Sequence, residues 1–189
     1  MKINGHIRGM TLTALMCAML CVAAPLSIPI GAVPISLATF VVMLSCYVAG
    51  TKRAVCSVIL YLCLGAAGLP VFSGFEGGIG KLVGPTGGYL AGYILLALIS
   101  GAFIDLARGR KALELVGMLT GTVVLYAFGS AWLAVQMKIT FADALLAGVL
   151  PFIPGDLLKT AAAQLVGSLV KERLKRIARG AGNGDLIGK

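Results

Sequence analysis

Six apolar runs, at about residues 9–28, 35–50, 54–69, 89–106, 112–137 and 141–170, constrain what this chain folds into more than any other feature. Hydrophobic residues make up 59% of its 189 residues and charged ones 12%, with a mean hydropathy of +0.99. A soluble domain is about 45–50% apolar and about 25% charged. A core of this size cannot absorb so much hydrocarbon, so lipid must be the solvent. Each crossing of a bilayer needs about 20 apolar helical residues, which leaves room for six spans, short connections and no separate soluble unit. The expected fold is an all-α integral membrane protein, a single membrane domain over residues 1–189.

The last run is too long for one span, and Pro151, Pro154 and Gly155 interrupt it. Proline ends or kinks a helix, so residues 141–150 are expected to form a short half-helix at the outer surface. Residues 155–170 then form the sixth span, and a basic tail occupies 171–189. The first run follows Lys2 and Arg8 and ends in Ala23-Ala24-Pro25, which imitates a secretory signal peptide. A retained helix is expected instead, because a proline would follow the cut and five further spans come after it.

Basic residues fix the orientation. Counted from an inside start, the inner segments carry Lys2 and Arg8, then Lys52 and Arg53, then Arg108, Arg110 and Lys111, then Lys171, Arg173, Lys175, Arg176, Arg179 and Lys189. The outer side keeps only Lys81, Lys138 and Lys159. That asymmetry predicts both termini in the cytoplasm.

Several function classes drop out. The net charge of +9 is not gathered with aromatics on one face, so no nucleic-acid surface is expected. Cys17, Cys21, Cys46, Cys56 and Cys63 include no CxxC pair, so neither a metal site nor a disulfide framework is expected. The string "GGIGKL" at 77–82 imitates a phosphate loop, but Leu82 stands where that loop needs Ser or Thr. No nucleotide or other cofactor is expected here, and any ATP-derived energy must come from a partner. No nucleophile, base and orienting acid come together, so the chain is not read as an enzyme.

Two interrupted segments, residues 70–88 and 151–155, both fall on the outer side. Non-helical backbone at membrane depth must line a cavity or be covered by protein, so the two are expected to build one site. Gly84, Gly87 and Gly88 would let backbone approach a small molecule closely, or simply form a tight turn into the next helix. Asp156 follows Pro154-Gly155 and is either a helix N-cap or a functional acid. Lys159 is harder to reduce to structure, because the first turn of a helix disfavours cations and the outer side is poor in them. Spaced three apart, Asp156 and Lys159 share a face; they pair with each other or divide a ligand. Ionisable groups at such depth cost about 2.5–3.5 kcal/mol each at a helix centre, which makes function the default reading. Ala14 and Ala18 form a small-xxx-small face for close approach of another helix, inside this chain or outside it. Glu76, Asp105 and Glu114 read as solvated or paired structural charges.

Four strings resemble one family: "VPISLATF" at 33–40, "GLPVFSG" at 68–74, "GPTGGYLAG" at 84–92 and "PFIPGDLLK" at 151–159. In order and spacing they resemble BioY, the biotin-capturing S component of energy-coupling-factor transporters. The resemblance spans most of the chain, excluding the basic tail. It implies six helices, an outward-facing biotin pocket, and docking through Ala14 and Ala18 on a transmembrane coupling subunit driven by two cytoplasmic ATPases. One position departs from the family pattern, which often reads "ITLQT": Ala38 precedes Thr39 where an amide side chain is usual.

Biotin presents a ureido ring with two N–H donors and a carbonyl, a thioether ring, and a tail ending in a carboxylate. Asp156 is suited to accept from the ureido nitrogens, and Lys159 or Lys81 to meet an oxygen. Thr39, Thr86 and the amides beside Gly87 and Gly88 offer further bonds. Phe72 and Tyr89 supply walls, with Gly74 in the loop between them. The alternatives are an S component for another vitamin and, from another class, an intramembrane aspartyl protease pairing Asp156 with Asp105.

Overall fold

The computed structural model describes residues 5–30 and 33–183. Among these, the helices are α1 (Gly5–Ala23), α2 (Ala38–Ala49), α3 (Thr51–Ala66), α4 (Ile79–Val83), α5 (Gly87–Leu106), α6 (Lys111–Met137), α7 (Phe141–Gly148) and α8 (Ile153–Asn183). Between α1 and α2 runs an antiparallel hairpin of β1 (Ser27–Ile30) and β2 (Val33–Ser36). A 3-10 turn, Leu150–Phe152, joins α7 to α8.

The hairpin corrects the all-helical expectation and trims two of the six runs. Ser27 and Ile28 leave the first, and Ile35 and Ser36 leave the second. Pro29 pairs across from Pro34 in the ladder, a position where neither ring nitrogen is asked to donate. The flanking Ile and Val are strand formers, yet in the sequence they look like more helical hydrocarbon.

α1 packs on α2 and α3, with Met16, Cys17 and Leu20 in the core. Next to it, α2 has only 12 residues. At 1.5 Å per residue it reaches about 18 Å, short of a hydrocarbon layer about 30 Å thick. It is almost wholly buried, touching α1, α3, α5 and α8, and so meets protein rather than lipid. Among the described residues, three helical stretches are long and apolar enough to cross a membrane: Gly87–Leu106, Lys111–Met137 and the run Phe141–Leu174.

α5 and α6 form the most extensive helix pair. Gly117 faces Phe103, Gly121 faces Ser100, and Gly129 faces Tyr89, each so closely that a methyl group would collide. This seam brings Tyr89 of α5 and Tyr126 of α6 to the same end of the bundle. In the loop after α3, the Phe72 ring stands edge-on to Tyr61 at 5.5 Å, with Gly65 beneath it. Gly78, at φ +93°, donates its amide to Gly65 O at 2.7 Å, and this folds the glycine-rich stretch back onto α3.

The last run divides as expected into a short helix, α7, and a longer one, α8, with shifted bounds. α8 begins at Ile153, two residues before the anticipated start, and continues to Asn183, well past residue 170. Pro151 and Pro154 do not break it, because both sit in first-turn positions where no amide donor is required. Lys52, Arg53, Arg108, Arg110, Lys111 and Lys171 gather at the end of the α5–α6 turn, while Lys81, Lys138 and Lys159 lie toward the other. The side chains of Lys2, Arg8, Lys175, Arg176, Arg179 and Lys189 lie outside the described residues.

Candidate ligand site

Asp156, in the first turn of α8, is 5% exposed. It is not an N-cap, since the helix has already begun at Ile153. Its Oδ1 accepts from Lys159 Nζ at 2.8 Å and from Thr39 Oγ1 at 3.2 Å, and its Oδ2 accepts from the Tyr126 hydroxyl at 2.6 Å. Lys159 Nζ also donates to Ser36 O at 2.7 Å. One carboxylate and one ammonium therefore tie together α2, α6, α8 and strand β2. Placing an acid on the first turn of α8 suits the positive end of its dipole, and the acid in turn compensates Lys159. A buried ion pair repays its desolvation only when its remaining lone pairs are used, as they are here.

The pair lines a cavity of about 40 Å³, together with Val33, Pro34, Tyr89, Tyr93, Leu125 and Phe152. A second cavity of about 20 Å³ adjoins it, lined by Phe72, Ser73, Lys81 and Thr86. Val33, Pro34, Tyr89 and Tyr93 border both, so β2 and two tyrosines form the partition. Sites for drug-sized ligands measure about 300–1,000 Å³. Both cavities are smaller than this.

Most of the anticipated residues meet here. Asp156, Lys159, Thr39 and Tyr89 border the first cavity, and Phe72, Lys81, Thr86 and Tyr89 the second. The Thr86 hydroxyl is buried without a hydrogen-bond partner, a donor held ready at the wall. Lys81 is ion-paired with Glu76 at 2.6 Å. The Tyr89 hydroxyl donates to Gly148 O at 3.2 Å and lies 3.0 Å from Ser130 Oγ, which leaves its ring as the wall. Three others border neither cavity. Gly74 donates its amide to Pro25 O at 3.2 Å, Gly87 abuts the Leu82 carbonyl, and Gly88 abuts Trp132. The absent side chains of Gly87 and Gly88 leave room for these neighbours, and Gly74 supplies a turn at φ +77°.

Tyr126, Tyr93 and the Ser36 carbonyl were not anticipated. A tyrosine amid the apolar residues of a helix is itself a signal, because its hydroxyl needs a buried partner. Tyr126 and Tyr93 both answer that description. Ala14 and Ala18 are exposed on α1 and so do not pack within the chain. Asp105 lines a different cavity at the far end of the bundle, where its Oδ2 accepts from Thr51 Oγ1 at 2.5 Å. It cannot act jointly with Asp156. Glu114, anticipated as solvated or paired, is buried and bonded to the Tyr47 hydroxyl at 3.2 Å.

A helical bundle with long apolar helices and a small charged pocket toward one end defines a multi-pass membrane protein with a site for a small polar molecule. The comparisons narrow this class. The sequence model of the BioY family matches residues 1–176, and the chain belongs to the BioY family. It is 40% identical over 156 residues to a probable biotin transporter BioY of Pyrococcus horikoshii, covering 82% of this chain and 91% of that one. It is 40% identical over 160 residues to the biotin transporter BioY of Thermotoga maritima, covering 85% and 91% respectively. A crystal structure of the S-component for biotin from an ECF-type ABC transporter superposes with a TM-score of 0.81 at 31% identity, over 93% of this chain and 95% of that one.

Proposed function

We propose that this chain captures biotin at the outer face of the cytoplasmic membrane and delivers it as the substrate-binding subunit of an energy-coupling-factor transporter. The observation that carries this reading is the buried Asp156–Lys159 pair held by Tyr126, Thr39 and Ser36 at the cavity wall. Asp156 accepts from the ureido N–H groups and Lys159 meets the ureido carbonyl. Phe72, Tyr89 and Tyr93 flank the thioether ring and tail. Lys81, across the partition, meets the terminal carboxylate, with Thr86 donating nearby. The chain forms one membrane domain of six spans with both termini cytoplasmic, an assignment supported by the basic residues grouped at the end away from Asp156. It acts without chemistry of its own, alongside a transmembrane coupling subunit and two ATPases.

A ligand that binds only the folded state raises stability by about 2.7 kcal/mol at a hundred times its Kd. In detergent, biotin is expected to raise the unfolding temperature of the purified protein, while thiamine and riboflavin leave it unchanged. Stabilisation by either of those in place of biotin would reassign the guest.

Tyr126→Phe removes one hydrogen bond to a buried carboxylate and little else. Bonds to charged groups contribute about 1.5–3 kcal/mol, and 1.4 kcal/mol is tenfold in affinity. Isothermal titration is expected to show biotin binding at least about tenfold weaker with normal folding. An affinity equal to wild type would remove Tyr126 from the site.

A further inference from the structure

At the end of the bundle away from Asp156 lies a larger cavity of about 430 Å³, between the close of α2, the α5–α6 turn and the middle of α8. Three acids, Asp105, Glu114 and Glu172, and three bases, Arg108, Lys111 and Lys171, line it. None of these acids is ion-paired with any of these bases; the ion pairs among the described residues are Lys81–Glu76 and Lys159–Asp156. Glu114 is 4% exposed, and among the described residues its one hydrogen-bond partner is the Tyr47 hydroxyl, on Oε2. Its second oxygen has no donor among them. Asp105, by contrast, is already engaged by Thr51. The Lys171 ammonium stands 5.8 Å from the centre of the Tyr47 ring, which shows a cation accommodated over that face.

Among the described residues Glu114 has no cation partner, and Arg108, Lys111 and Lys171 have no anion partner; charges set among protein atoms are costly in that state. A guest carrying both signs a few bonds apart satisfies both sets. Its ammonium meets Glu114, and its phosphate meets Arg108, Lys111 and Lys171, with the Arg108 fork matched to two phosphate oxygens. The cavity opens where α5 and α6 meet at their turn, the level at which lipid headgroups lie. Leu165 and Leu169, beside Ser168 of the lining, are exposed and offer hydrocarbon for acyl chains. We propose that this cavity binds the headgroup of an ethanolamine phospholipid from the inner leaflet, ammonium inward and phosphate at the rim. The assignment is independent of what occupies the Asp156 site.

Native mass spectrometry of the delipidated protein, titrated with defined phospholipids, tests it. Phosphatidylethanolamine is expected to bind at least about tenfold more tightly than phosphatidylcholine, whose methylated nitrogen cannot donate, or phosphatidylglycerol, which lacks a cation. Glu114→Gln should abolish that preference while leaving phosphatidylglycerol binding and biotin affinity unchanged. Arg108→Gln combined with Lys171→Gln should weaken all three lipids. Equal binding of the three lipids by the wild-type protein, a comparison that needs no variant, overturns the proposal. So does a preference that survives Glu114→Gln. If the lipids bind equally but Glu114→Gln impairs uptake in vesicles free of ethanolamine lipid, the cavity receives a basic side chain of a protein partner and the lipid assignment fails.

Discussion

Asp156→Ala is expected to lose at least about a hundredfold in biotin affinity, the largest effect of any single substitution in this protein. Two contributions add. The guest loses its charged acceptor, worth about 1.5–3 kcal/mol per hydrogen bond, and Lys159 becomes a buried cation without its counter-ion. Breaking a buried pair by removing one member costs about 3–5 kcal/mol, part of which will appear as a lower unfolding temperature. Asp156→Asn separates the two, since it keeps the shape and one acceptor oxygen while removing the charge. Equilibrium binding in detergent, paired with thermal unfolding of each variant, is the measurement. Wild-type affinity in both variants would show that the guest sits elsewhere.

The second large effect concerns assembly and leaves capture intact. Ala14 and Ala18 stand one turn apart on α1, exposed, while Met16, Cys17 and Leu20 face the core. Small residues at this spacing let two helix backbones come close in lipid, where packing takes the place of a hydrophobic driving force. Replacing both with leucine adds bulk where a partner helix would rest. ATP-driven biotin uptake, reconstituted with the coupling subunit and its ATPases, is expected to fall at least about tenfold. Biotin binding by the isolated variant should stay within about twofold of wild type. Undiminished uptake would remove this face from the docking surface.

Much of this was readable in the order of residues, for reasons that can be given position by position. The charged turn of Arg108 to Lys111 separates α5 from α6, where periodicity and punctuation agreed, whereas the first run was read on to residue 28, past the end of α1 at Ala23. Asp156 and Lys159 stood out because charge is expensive among apolar neighbours, whatever surrounds it. The hairpin escaped because isoleucine and valine are equally apolar in a strand and in a helix; only Pro29 and Pro34 hinted at it. The start of α8 was misplaced because proline breaks a helix interior and yet fits its first turn, and the sequence does not say which of these a given proline occupies. Gly74, Gly87 and Gly88 were read as guest contacts; in the fold Gly87 and Gly88 also make room for the Leu82 carbonyl and Trp132, and Gly74 supplies a turn at φ +77°. That distinction depends on which elements lie across from them, a tertiary fact. Tyr126 lies 30 residues from its carboxylate, beyond the reach of any local pattern.

An ammonium group has three protons to give, and Lys159 has committed two of them, one to Asp156 and one to the Ser36 carbonyl of the hairpin. The third remains for whatever enters. An arriving acceptor can therefore join this junction without dismantling it, and by doing so it binds strand β2 more firmly to α8. Occupancy should then tighten the mouth of the pocket behind the guest, and the departure rate, more than the arrival rate, would set how long a molecule is held.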